Sequence, residues 1–173
     1  MFDFLERTAL IYSPEQLNQF ANSHVLVAGL GGVGGFVCES LVRSGVGQLT
    51  IIDHDVVSKS NINRQIIALN STVGHKKVDV LSHRLKDINP SIQLNTLDEF
   101  IRNDDMDELL TRYQPDIVVD AIDSLACKVS LVAKAYENDI PVFSSMGAGR
   151  KKDVSKVCVG DISRTEVCAL ARH

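Results

Sequence analysis

His24-Val-Leu-Val-Ala-Gly-Leu-Gly-Gly-Val-Gly34 is the stretch whose reading decides the fold. Its first five residues form a short apolar run, the pattern of a strand buried on both faces of a parallel sheet. Glycines then stand at Gly29, Gly31, Gly32 and Gly34. Beyond them Val33, Phe36, Val37 and Leu41 recur at helical spacing, until Gly45 stops the helix. A strand that passes through glycines into a helix is the context a phosphate-binding turn requires. The glycines permit a tight turn and let backbone N–H groups approach an oxyanion, with the helix N-terminus behind them. The competing reading is that the glycines serve only close packing of helix on strand. The motif by itself does not separate NAD, FAD and ATP.

Outward from this stretch, strand and helix patterns alternate. Gln48-Leu-Thr-Ile-Ile52 is the next expected strand, followed by Ile92 to Leu97, Asp116 to Asp120 and Pro141 to Ser144, with Lys156 to Val159 as a candidate sixth. Val78, Leu81, Leu85 and Ile88 mark a long helix closed by Asn89-Pro90. Met106 to Tyr113 reads as a short helix, and Leu125, Val129, Val132 and Tyr136 as one face of another. Residues 58–70 are mixed and polar, with one helical turn around Arg64. The alternation predicts βαβ units and an α/β, doubly wound (Rossmann-like), mostly parallel sheet in three layers. Residues 1–22 are expected to be an N-terminal helical arm packed through Leu5, Leu10 and Leu17, with 23–173 the nucleotide-binding domain.

At 173 residues the chain is long enough for one domain with a sizeable core. Its net charge of -4 gives no general argument for nucleic-acid or membrane binding. A local basic cluster of Arg150, Lys151, Lys152 and Lys156 reads first as a solvated loop. No apolar run approaches a membrane span, and the N-terminus lacks the order of a signal peptide. Cys38, Cys127, Cys158 and Cys168 form no CxxC pair, and the five histidines show no ligand spacing. Free thiols in a reducing, cytoplasmic setting are therefore expected, with no zinc site.

The chemistry is expected just past the strand ends. Asp53 closes the second strand, where an acidic residue meets a ribose hydroxyl. A plain dehydrogenase reading would stop there. Ser60-Asn-Ile-Asn-Arg-Gln65 instead adds a cation and several amides, and Lys77 follows at a helix start. A redox dinucleotide does not need two further cations there. A triphosphate does, since Arg64 and Lys77 would hold charge on its oxygens as pyrophosphate leaves. Asp123, in Asp120-Ala-Ile-Asp123, sits where ligands of open α/β sheets bind, and is a hard oxygen ligand for Mg2+. Its competing role is N-cap of the following helix, with Ser124 as the rival cap.

Together these residues resemble the ubiquitin-activating-type superfamily that includes ThiF and MoeB. The matching stretches are Gly29-Leu-Gly-Gly-Val-Gly34, Ile52-Asp-His-Asp-Val56, Ser60-Asn-Ile-Asn-Arg-Gln65, Val73-Gly-His-Lys-Lys77 and Asp120-Ala-Ile-Asp123. Within it the chain is most similar to the tRNA threonylcarbamoyladenosine dehydratases. Arg7-Thr-Ala-Leu10, Asp120-Ala-Ile-Asp-Ser124, Ser144-Ser-Met-Gly-Ala-Gly149, Asp161-Ile-Ser-Arg-Thr165 and Cys168-Ala-Leu-Ala-Arg172 carry the finer match. The resemblance implies ATP-dependent adenylation of the threonine carboxylate on the modified adenosine beside the tRNA anticodon, followed by ring closure. It implies a nucleotide-binding set of Gly29, Gly31, Gly32, Gly34, Asp53, Asn61, Arg64, Gln65 and Lys77. The catalytic set is Arg7, Arg64, Lys77 and Asp123, with Asp123 the magnesium ligand and Arg7 reaching the partner's ATP across a homodimer. Val154 and Ala169 stand where the family usually has proline. Family members also continue beyond the point matching His173, so the nucleotide half is expected here with weak or absent dehydratase turnover. Three alternatives remain: adenylation of the C-terminal glycine of a ubiquitin-like sulfur carrier, a nucleotide-binding or dimerisation module without turnover, and an NAD-dependent oxidoreductase.

Overall fold

The computed structural model describes residues 3–102, 105–149, 151–166, 168 and 170–172. Five strands, β1 (His24–Ala28), β2 (Gln48–Ile52), β3 (Gln93–Leu97), β4 (Ile117–Asp120) and β5 (Val142–Ser144), form one sheet in the order β3-β2-β1-β4-β5. All four pairings are parallel. The strand order reverses between β1 and β4, and this is the topological switch point at which doubly wound sheets bind ligands.

Alternation along the strands builds two cores. Val25, Val27, Leu49 and Ile51 point to one face, against Cys38 and Val42 of α2 (Gly34–Arg43) and Val78, Leu81 and Leu85 of α3 (Lys77–Ile88). Leu26, Ala28, Ile52 and Val118 point to the other, against Met106, Leu109 and Leu110 of α4 (Met106–Tyr113) and Cys127, Leu131 and Ala135 of α5 (Leu125–Glu137). A sheet covered on both faces explains why β1 and β2 read as near-continuous apolar runs. The α/β, doubly wound, three-layer expectation holds.

Residues 3–22 contain 3-10 turns at Asp3–Leu5 and Thr8–Leu10 and helix α1 (Pro14–Asn22). Ser13 and Gln16 close a capping box, and Pro14 opens the first turn. Leu5 and Leu17 are buried, but Leu10 is 77% exposed, which corrects the expectation that all three pack inward.

Two helix faces also differ from their sequence reading. In α2 the buried side is Gly34, Gly35, Cys38, Glu39 and Val42, while Phe36 is 48% exposed. In α5 it is Cys127, Lys128, Leu131 and Ala135, while Tyr136 is 80% exposed. In α2 the buried side carries the small residues Gly34, Gly35 and Cys38; in α5 it includes Leu131 and Lys128, while Ala126 and Ala133 are exposed. The candidate sixth strand is not formed: Val154–Lys156 is a 3-10 turn and Val159 is 97% exposed. The chain leaves the sheet after Ser144, and no ladder partner reaches that segment among the described residues. Among them, too, no helix is long and apolar enough to cross a membrane. All four cysteines are free thiols.

Candidate functional site

The turn after β1 is built by four glycines with two different tasks. Gly29 has φ +87°, and a Cβ there would lie 2.7 Å from the Ala121 carbonyl oxygen; a Cβ on Gly34 would lie 1.8 Å from the Gly29 oxygen. These two are demanded by packing, as the competing sequence reading held. At Gly31 and Gly32 an added Cβ would meet nothing nearer than the Gln65 Nε2 at 3.6 Å and the Arg64 Cγ at 3.4 Å. These two face the crevice. Among the described residues the N–H groups of Gly31, Gly32 and Val33 donate to no protein acceptor. They stand at the N-terminus of the ten-residue helix α2. Unused donors on a helix N-terminus favour an anion.

Asp53 holds this turn from below. Its Oδ2 accepts from Leu30 N at 2.7 Å and its Oδ1 from Asp55 N at 2.8 Å. Lys77, the first residue of α3, is buried with its Nζ 2.7 Å from Asp55 Oδ2 and 3.7 Å from Asp53 Oδ2. The Lys77 hydrogen bond holds the half-exposed Asp55 carboxyl below the usual carboxylate range. Asp53, His54 and Asp55 offer ligand atoms within 4.8 Å of one another, with Lys77 paired to both carboxylates and offsetting one of their two charges.

Residues 58–65 fold over the turn. Ser58 and Asn61 form a capping box, with Ser58 N donating to Asn61 Oδ1 at 2.9 Å, so the Asn61 carbonyl is engaged. Arg64 lies along Gly32, exposed, with Nη1 donating to Ser60 O at 3.0 Å and Asn63 Oδ1 at 2.9 Å. Gln65 is 7% exposed, and its buried Oε1 has no partner. The atom nearest an added Gly31 Cβ is the Gln65 Nε2, a donor; the orphaned Oε1 is an acceptor that an O–H or N–H donor would satisfy.

Across the switch point, Ala121 N donates to Ala28 O at 2.8 Å, which fastens the loop after β4 to the glycine turn. Asp123 is exposed, and its carboxylate has no protein partner among the described residues. The N-cap of α5 is Ser124, without a side-chain capping bond, so Asp123 is not spent on capping. Beyond β2 and β3 lies a cavity of 240 Å³ whose lining mixes Ile52, Leu97, Phe100 and Leu109 with the charged Glu99, Asp105, Glu108 and Arg112. Arg7 is exposed and opens the 3-10 turn at Thr8–Leu10. In the basic cluster, Lys151, Lys152 and Lys156 are exposed; Arg150 lies outside the described residues.

The ThiF family model matches residues 5–169. The chain belongs to the ThiF family. Among ThiF relatives, the tRNA threonylcarbamoyladenosine dehydratase of Haemophilus influenzae is 41% identical over 90% of this chain and 59% of its own length. That of Bacillus subtilis is 40% identical over 99% of this chain and 67% of its own length. The crystal structure of the Escherichia coli dehydratase TcdA in complex with ATP superposes with a TM-score of 0.93 at 37% identity, covering 96% of this chain and 68% of that one. This ThiF chain thus spans three fifths to two thirds of the length of these relatives.

The sequence reading missed Lys128. It is buried on α5 and paired with the buried Asp120. A lysine among Cys127, Leu131 and Ala135 was the available signal, hidden because the apolar stripe of α5 was placed on the wrong side.

Proposed function

We propose that the chain binds ATP with magnesium in the crevice between β1 and β4 and adenylates a carboxylate, that of threonylcarbamoyladenosine in tRNA. The observation that carries this reading is the row of unused N–H groups at Gly31, Gly32 and Val33, with Arg64 against Gly32 and Lys77 beside Asp53. Asp53 would take the ribose hydroxyls, and the cavity beginning at Ile52 and Leu97 would take the adenine. Asn61 would turn its free amide N–H to the phosphates. Asp123 fits magnesium as an exposed, unengaged carboxylate; the ion would offset charge on the phosphate oxygens.

The substrate carboxylate attacks the α-phosphorus, and the bond to the pyrophosphate oxygen breaks. Charge then grows on the leaving pyrophosphate. Arg64 and Lys77 are placed to take that charge, Lys77 by exchanging Asp55 for a phosphate oxygen. The product is an acyl adenylate whose leaving group is AMP, so an internal nucleophile of the same nucleoside can close a ring. In a homodimer Arg7 would reach the partner's ATP, and Lys151, Lys152 and Lys156 would lie against RNA phosphates.

The test is ATP–pyrophosphate exchange in the presence of tRNA bearing threonylcarbamoyladenosine, with mass spectrometry of the modified base. We expect exchange that depends on the modified tRNA. Exchange driven instead by the C-terminal glycine of a sulfur-carrier protein would overturn the substrate assignment. ATP binding without exchange with either would leave a nucleotide-binding module.

A further inference from the structure

One buried group lies against the crevice without touching the proposed ligands. Asp120, at the end of β4, is fully buried. Its Oδ2 accepts from Lys128 Nζ and from Ser144 Oγ, each at 2.5 Å, and its Oδ1 accepts from Ile122 N at 3.0 Å. Lys128, equally buried, also donates to Ser145 O at 3.0 Å. The backbone extends the network, with Ser145 N donating to Asp120 O at 2.8 Å and Ala121 N to Ala28 O at 2.8 Å. One carboxylate and one ammonium thus tie together the ends of β4 and β5, while backbone bonding alone joins β4 to β1.

A buried ion pair is a poor source of stability, because desolvation offsets much of the attraction and an apolar pair would fill the same space. Its advantage is fixed geometry, provided every member is satisfied. Here the contacts fall on the ends of β4 and β5, and the one to Ile122 N lies in the loop that borders the crevice. Ile122, held by Oδ1, immediately precedes Asp123, whose own carboxylate has no protein partner among the described residues. The place of that carboxylate is therefore set by its backbone.

We propose that Lys128 is a positioning residue: acting through Asp120 and Ser145, it fixes the start of the Asp123 loop against the end of β5. The proposal rests on the ATP–magnesium reading above. Groups that orient a metal ligand typically govern affinity or activity by about 10–100-fold.

The test is calorimetric titration of ATP with magnesium and again with EDTA; the ratio of the two affinities is the magnesium increment. Lys128→Met leaves the Asp120 charge buried and unpaired, and its folding is at risk. Asp120→Asn/Lys128→Met removes both charges and keeps the test available. We expect the double variant to bind magnesium-free ATP within about twofold of the parent, yet to lose about tenfold or more of the increment, as Asp123→Asn does. Lys128→Arg, which keeps charge and donors, should retain most of it. An unchanged increment in the double variant would overturn the proposal. So would an equal fall in both affinities, which marks a general loss of structure. A parent that binds ATP without an increment overturns the Asp123 assignment and this proposal with it. A parent that binds no ATP overturns the nucleotide reading itself.

Discussion

Arg64 and Lys77 carry the same charge in opposite settings. Arg64 is exposed and hydrogen-bonded only by neighbours in its own loop, through Nη1. Its remaining N–H groups are open to a phosphate. Lys77 is buried and already paired with Asp55. Replacing Arg64 by alanine should weaken ATP binding by about 1.5–3 kcal/mol, the usual weight of a hydrogen bond to a charged group; calorimetry reads this directly, and an unchanged affinity would remove Arg64 from the phosphates. Asp53 supports the glycine turn and is proposed to bind the ribose. Asp53→Ala should weaken ATP more than inorganic triphosphate, because the ribose contact is lost only with ATP. It should also lower stability by about 1–3 kcal/mol in urea denaturation, because the buried Leu30 N–H loses its acceptor. Equal weakening of both ligands would take Asp53 off the ribose. The position of Asp53 at the end of β2 was legible from the sequence. The support of Leu30 was not, since it depends on where a three-dimensional turn brings an N–H.

At the scale of elements, the glycine turn separates fold from ligand. Gly34→Ala would drive a Cβ to 1.8 Å from the Gly29 oxygen, and we expect it to destabilise the chain by about 1–3 kcal/mol or more. Gly32→Ala meets only side-chain and backbone atoms of Arg64 at 3.4 Å or beyond. It should leave the melting temperature nearly unchanged and reduce ATP affinity, because its methyl group stands in the crevice. The reverse pattern in thermal melts and titrations would exchange the two roles. Strand and helix positions were legible because β1, β2 and α3 have strong apolar periods. The helix faces of α2 and α5 were not. Reading them from large apolar residues failed where Gly34, Gly35 and Cys38 form the buried side of α2, and where α5 buries Cys127, Lys128, Leu131 and Ala135. That error hid Lys128, the charged member of a buried stripe.

For the whole molecule, the same sheet that sets the crevice carries a polar chain near the other end. His24 Nε2 meets Thr50 Oγ1 at 2.8 Å, and Asn95 Nδ2 donates to Thr50 Oγ1 at 3.1 Å. Burial pushes the His24 imidazole below its ordinary value of 6.5, against the pull of Asp116. The unfolded chain therefore binds a proton more readily than the folded one. Stability should be full above about pH 6.5 and should fall as pH drops towards the folded value. His24→Gln should flatten that slope in denaturation curves between about pH 7 and pH 5; an unaltered slope would assign it to other groups. The doubly wound topology was legible in the order of strands and helices, and it places Gly31, Gly32, Arg64, Lys77 and Asp123 around one switch point. Whether ATP occupies that crevice is settled most directly by isothermal titration of the chain with ATP–Mg2+ and, in parallel, with NAD. We predict saturable ATP binding that falls at least about tenfold in Arg64→Ala, and none with NAD. Binding of NAD, or ATP binding indifferent to Arg64, would contradict it.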